Sequence, residues 1–386
     1  MVINGGTKVK LTFIVFAAIL LSIFAVACSN ESVPQQYQVP VFEEVNDTPA
    51  PPTQVSFIAV GDVVAHDLLA FQGKTDDGGW NYDFIFENMA DEIASYDIAA
   101  ITQETPFISR EEDVSGYPTF GTPWQMGEAM WKSGFDVIVG ATNHSMDKGL
   151  YGINTTIDYW HNMHPDKLHL GMHHYAEDAN SVSFMEKNGI KIGFTDCTYG
   201  LNGFVLPEGS EYMVDLLDDL DVICSNIETA KTECDFIISF VHMGEEYATV
   251  PSDEQREVAE RLIDAGADVV IGSHVHVVQP MEQVTTAAGN SGLVYYSIGN
   301  HVSNQIDVEN MLGGAAIFTI EKALDEQGDF KTRIVSYDFK PIVCHWNSST
   351  TTEYFLEDYP EELSAAHAVN LNKDMLYSIW NSITGL

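Results

Sequence analysis

The chain runs to 386 residues, with 57 acidic against 17 basic side chains and a formal net charge of −40. So acidic a surface repels nucleic acid and anionic lipid, which excludes nucleic acid as a partner, and any anionic substrate needs a local cation such as a bound metal. The length exceeds one ordinary domain, yet a two-sheet α/β fold can fill roughly 250 to 300 residues as one unit, so one large domain with appendages is expected.

Lys8 and Lys10 precede an uncharged apolar run from Leu11 to Ala27, the pattern of a secretory signal. Ala25-Val26-Ala27 before Cys28 resembles the lipobox of bacterial lipoproteins, so residues 1–27 read as a lipoprotein signal peptide and Cys28 as its lipidated product. A single-span anchor is the alternative, although 17 residues rise only about 26 Å as a helix, against a hydrocarbon core of about 30 Å. Either reading puts the rest of the chain at the extracellular face of the cell membrane. Residues 28–54 carry five of the 14 prolines and little apolar periodicity, as an extended tether would. Cys197, Cys224, Cys234 and Cys344 show no CxxC spacing, which argues against thiolate metal ligation and leaves one disulfide or none open.

From Val55 the chain alternates short apolar runs with helical patterns. Strands are expected at 55–62, 97–106, 135–144, 190–200, 236–244, 268–276, 292–301, 315–322 and 332–340. Ile85, Met89 and Ile93 suggest one helix over 82–95, and Leu150, Ile153, Ile157 and Trp160 another. Thr122-Pro123-Trp124-Gln125 and Ser252 to Gln255 both have the form of a capping box, with Gly134 and Gly266 as the respective stops. Early strand–helix alternation implies parallel pairing and the late closely spaced strands antiparallel pairing, so a mixed two-sheet α/β domain over 55–345 fits both. Residues 346–386 read as a helical, acidic appendage.

Strand after strand ends in a side chain that can bind metal or transfer a proton. Asp62, Glu104, Asn143 with His144, His242, and His274 with His276 all fall at such ends. Parallel strands bring their carboxyl ends to one crevice, so separate turns would deliver these groups to one place. On an extended segment, positions i and i+2 share a face, which would aim His274 and His276 together. Oxygen and imidazole donors without thiolate suit Mn, Fe or Zn, and six or more of them are enough for two ions that clamp an oxyanion. His169, His173 and His174 form another cluster, expected in a loop at the site entrance or surface.

Seven stretches in order carry a family resemblance: GDVVAHD (61–67), QETP (103–106), ATNHSMDKG (141–149), TYGLNG (198–203), FVHMGEEY (240–247), DVVIGSHVHVVQP (268–280) and YYSIGNHVSNQ (295–305). The chain resembles the CapA family of capsule-synthesis proteins, the poly-γ-glutamate group of the calcineurin-like metallophosphoesterase superfamily. The resemblance implies a β-sandwich flanked by helices (αββα), with Asp62, His66, Glu104, Asn143, His242, His274 and His276 as metal ligands and His144 as general acid. His66 departs from the usual Asp-x-His spacing, and Glu104 replaces the usual GDxxD segment; both departures weigh against hydrolysis more than against metal binding. Asn300 and His301 mimic the superfamily's Gly-Asn-His motif out of order and are expected to line the site at most.

Three readings follow. The first is an exported, lipid-anchored component of poly-γ-glutamate or related capsule production. The second is a metal-dependent extracellular phosphoesterase. The third is a non-catalytic scaffold for membrane synthase subunits. An anionic polymer or a phosphorylated substrate is the expected ligand.

Overall fold

The computed structural model describes residues 51–386, so the signal peptide, Cys28 and nearly all of the tether lie outside the described residues. Among those described, no helix is long and apolar enough to cross a membrane.

Two sheets form the body. The larger has the spatial order Thr351–Phe355, Phe330–Trp346, Leu312–Leu324, Thr53–Val63, Ile98–Gln103, Val137–Val139 and Leu168–Leu170, with Asn300–Val302 beside the end of Thr53–Val63. The smaller runs Met281–Thr285, Ser291–Tyr295, Val269–Ser273, Phe236–His242, Ile190–Thr198 and Ser183–Lys187. The smaller sheet is parallel through its middle and antiparallel at both edges, whereas the larger is parallel from Thr53–Val63 out to Leu168–Leu170 and antiparallel from Thr53–Val63 out to Thr351–Phe355.

The central strands are mostly apolar because both faces are covered; every residue of Phe236–His242 is buried. Phe57, Phe194, Phe236 and Phe318 meet between the sheets, with the Phe57 and Phe194 rings 6.4 Å apart. Helices Gln125–Lys132 and Gly149–Met163 cover the outer face of the larger sheet, and Leu220–Ala230 and Asp253–Ala265 that of the smaller. This is the expected sandwich of two mixed sheets between helical layers.

Several local expectations are corrected. Residues 82–95 form two short helices, Asp83–Phe86 and Ala90–Ile93, rather than one. Only the second capping box forms: Ser252 and Gln255 cap reciprocally, and Gly266 follows at φ 121°. Thr122–Pro123 is instead a short strand whose Thr122 hydroxyl pairs with that of Thr105 at 2.7 Å, and the helix begins beyond it without a side-chain cap. The Thr122 oxygen is already used by a neighbouring chain segment, so it cannot turn back onto the helix. Residues 346–386 are built into the body: Thr351–Phe355 is the edge strand of the larger sheet, and Leu376 and Trp380 of helix Lys373–Thr384 are buried in the inter-sheet core. Among the described residues, Cys197, Cys224, Cys234 and Cys344 are free thiols.

Candidate metal centre

The parallel strands put their carboxyl ends at one edge, where both sheets open. Asp62 and Glu104 arrive on adjacent strands of the larger sheet, and Asn143 and His144 on the turns after the next strand. His242 ends a strand of the smaller sheet, with His274 and His276 just beyond its neighbour. Gly61 makes the approach possible: a Cβ there would lie 1.8 Å from the Gly299 carbonyl oxygen, the acceptor of the Asp62 N–H.

The backbone at the two histidines differs from expectation. Strand Val269–Ser273 has already ended, and His274 and His276 hold φ values of 95° and 63°. Non-glycine residues there are strained by of order 1–3 kcal/mol, and such strain collects at ligand sites. His274 is pinned by its N–H donating to Asp62 Oδ2 at 3.1 Å. The rings still enter one site, 6.1 Å apart, but a kinked backbone puts them there rather than the two-residue period of a strand.

Ligand atoms of Asp62, Glu104 and His276 lie within 4.8 Å of one another, all buried. Asn143 Oδ1 is 2.8 Å from His242 Nε2, a contact that bridges the two sheets, and the His242 and His274 rings are 4.9 Å apart. His242 Nδ1 is fixed by the Ser273 hydroxyl at 2.8 Å, and His276 Nδ1 lies 3.0 Å from Asn300 Oδ1. His144 Nδ1 is 2.7 Å from Asp147 Oδ2, which leaves Nε2 3.8 Å from Glu104 Oε1. His66 is engaged differently: it is half-buried, with Nδ1 3.2 Å from the Val64 carbonyl and its ring edge-on to Phe120.

The electrostatics are those of a cation site. Asp62 Oδ1 and both Glu104 oxygens are buried without a hydrogen-bond partner, as is His274 Nδ1. Burial pushes the Asp62 carboxyl up to about 7, and burial with Asp62, Glu246 and Asp147 nearby raises Glu104 well above the ordinary carboxylate range. Burial likewise lowers the imidazoles, His274 to about 4, His276 to about 3 and His242 well below its usual value. Unpaired buried carboxylates beside neutral imidazoles are costly for protein alone, and they match what a divalent cation needs. The donor set fits such an ion: Asp62, Glu104 and His276 would hold it, with Asn143, His242 and His274 alongside. The ion would supply positive charge for a developing oxyanion.

Sequence reasoning missed the residues that orient these groups. Asp147, Ser273 and Asn202, which accepts from Asn143 Nδ2 at 3.1 Å, carried no assigned role, although Asn202 lies in the TYGLNG stretch. Asn300 does more than line the site, since it orients His276, whereas His301 lies away from it, 2.7 Å from Glu353 Oε1 and packed on Phe86 and Phe135. His169 sits on strand Leu168–Leu170 rather than in a loop; His173 and His174 follow it, paired to Asp215 and Asp158.

A family model described as bacterial capsule synthesis protein PGA_cap matches residues 56–305. The chain belongs to the PGA_cap family. Among relatives, the PGA biosynthesis protein CapA of Bacillus subtilis is 32% identical over 174 residues, 44% of this chain and 43% of that one. The capsule biosynthesis protein CapA of Bacillus anthracis is 26% identical over 265 residues, 65% of this chain and 60% of that one. The matches thus span about half the length of these relatives. Among solved structures, the NAD nucleotidase of Haemophilus influenzae superposes at a TM-score of 0.44 and 12% identity, covering 86% of this chain and 67% of that one. The PGA_cap match takes in every stretch that builds the metal centre, from Asp62 to Asn300.

Proposed function

We propose that this protein acts in production of an anionic capsule polymer of the poly-γ-glutamate type, at the outer face of the cell membrane and anchored through lipidated Cys28. Its site binds two divalent ions of Mn, Fe or Zn and works on an oxygen-bearing bond of the polymer or its precursor. The observation that carries this reading is the convergence of Asp62, Glu104 and His276 ligand atoms within 4.8 Å with three carboxylate oxygens unpaired. Membership of a capsule-synthesis family supplies the biological setting. In a surface this acidic, bound cations are the means of attracting an anionic chain.

The test is metal content by mass spectrometry after dialysis of the full-length protein against Mn or Zn. Wild type should retain about two ions per chain, and Glu104→Gln and His276→Ala should lose one or both. A metal-free wild type would end this reading. In the host, His276→Ala should reduce the amount or length of surface polymer; output equal to wild type, in a strain where deletion abolishes it, would favour the scaffold that docks membrane synthase subunits.

A phosphoesterase reading also has a specific support, because the Asp147-held His144 presents Nε2 toward the carboxylates, where it could donate a proton to a leaving oxygen. Aryl phosphate hydrolysis by the metal-loaded protein, lost in His144→Ala, would favour it over the polymer reading.

A further inference from the structure

Beside the metal centre lies a cavity of about 680 Å³, with His144 and His276 in its wall. Four aromatic rings also line it: Tyr117, Phe120, Phe204 and Tyr247. Glu246 is its one carboxylate, and among the described residues no lysine or arginine contributes to the lining. Thr119, Asn202, Gln305 and the half-buried His66 complete the polar wall.

Tyr247 is not loosely placed. It holds φ at 67°, and its N–H donates to the Val275 carbonyl at 2.8 Å, between the two metal-centre histidines. Its ring lies 6.1 Å from that of His276, and Gln305 Nε2 reaches its hydroxyl at 3.5 Å. Across the cavity, Tyr117 and Phe120 meet edge to face with centroids 6.4 Å apart. Strained backbone that fixes a ring beside a reactive site is the pattern of a ligand clamp.

Aromatic faces with a carboxylate and no lysine or arginine beside them are complementary to an ammonium group, through ring quadrupoles and a charge-assisted hydrogen bond. A carboxylate or phosphate placed there would meet Glu246 instead. We infer that this cavity binds the free amino end of the substrate, while an adjacent oxygen of the same molecule faces the metal centre. The inference rests on the polymer reading above and assigns it a direction: the chain enters by its ammonium terminus, and its anionic side chains stay outside the cavity.

Calorimetric titration of the Mn-loaded full-length protein with γ-glutamylglutamate and with its N-acetyl form tests this. The free amine should bind about tenfold more tightly. Glu246→Gln should narrow the gap to within about twofold, whereas Glu245→Gln, one residue outside the lining, should leave it unchanged. Equal or tighter binding of the N-acetyl form overturns the inference, as does binding of neither form, or a preference that survives in Glu246→Gln. Metal content measured on the same samples separates the two readings. Preference for the amine in a protein that retains no metal removes the metal-centre reading alone, and retained metal with no preference removes this one alone.

Discussion

His144 owes its orientation to Asp147, three residues later, whose Oδ2 lies 2.7 Å from Nδ1 and also accepts the Phe120 N–H at 2.7 Å. This pairing keeps the proton on Nδ1 and turns Nε2 to the carboxylates, so Asp147 is a positioning residue. Asp147→Asn should lower any turnover by about 10²-fold or more, while metal content stays at the wild-type level. Loss of metal in that variant would show that Asp147 supports the site itself. At this scale the sequence made legible which side chains end the strands, since Asp, Glu, Asn and His stand out after apolar runs. It did not show which of them orient others, because Asn202 and Asn300 lie 59 and 24 residues from their partners Asn143 and His276.

Among elements, the two capping boxes differ only in what surrounds them. The Ser252 hydroxyl accepts from the Gln255 N–H at the start of helix Asp253–Ala265, whereas Thr122 is held in a strand by Thr105 and Pro106. The C-terminal helix is the larger surprise. Residues 346–386 read as an acidic appendage, but Trp380 is 3% exposed and its ring lies 4.7 Å from Phe339. Trp380→Ala should therefore cost about 3–5 kcal/mol in urea unfolding; a loss below about 1 kcal/mol would restore the appendage.

The strand Phe330–Trp346, against which this helix packs, carries a pH dependence. His345 is buried, with Nδ1 2.8 Å from the Tyr359 hydroxyl, and burial together with His367 lowers its pKa to about 4. Because its folded pKa lies below the unfolded value of about 6.5, the unfolded chain binds more protons between those limits. Stability contributed here is present above pH 6.5 and is lost as pH falls toward 4. Between pH 7 and 4.5, His345→Gln should lose about 2 kcal/mol less stability than wild type, read from urea midpoints at each pH. Parallel curves for the two proteins would exclude the role.

For the whole molecule, a net charge of −40 makes compaction self-repulsive. Raising salt from about 0.01 M to about 0.15 M shortens the screening length from about 30 Å to about 8 Å, so the melting temperature should rise by several degrees. Calorimetry at the two ionic strengths checks this, and an unchanged value would mean that the acidic groups are too far apart to repel.

The order and type of the central strands were set by local pattern: apolar runs long enough to be buried on both faces, each closed by a polar residue. Parallel pairing then made one crevice the meeting place of Asp62, Glu104, Asn143 and His242, which is why the site could be anticipated from sequence. Tertiary structure alone decided how His274 and His276 reach it, because both hold positive φ values and the His274 N–H is bound by Asp62, 212 residues away. It alone also decided that Tyr247, Glu246 and Tyr117 face one cavity and that Trp380 completes the core. Side-chain periodicity reports which face of an element is apolar, but not which distant surface will cover it.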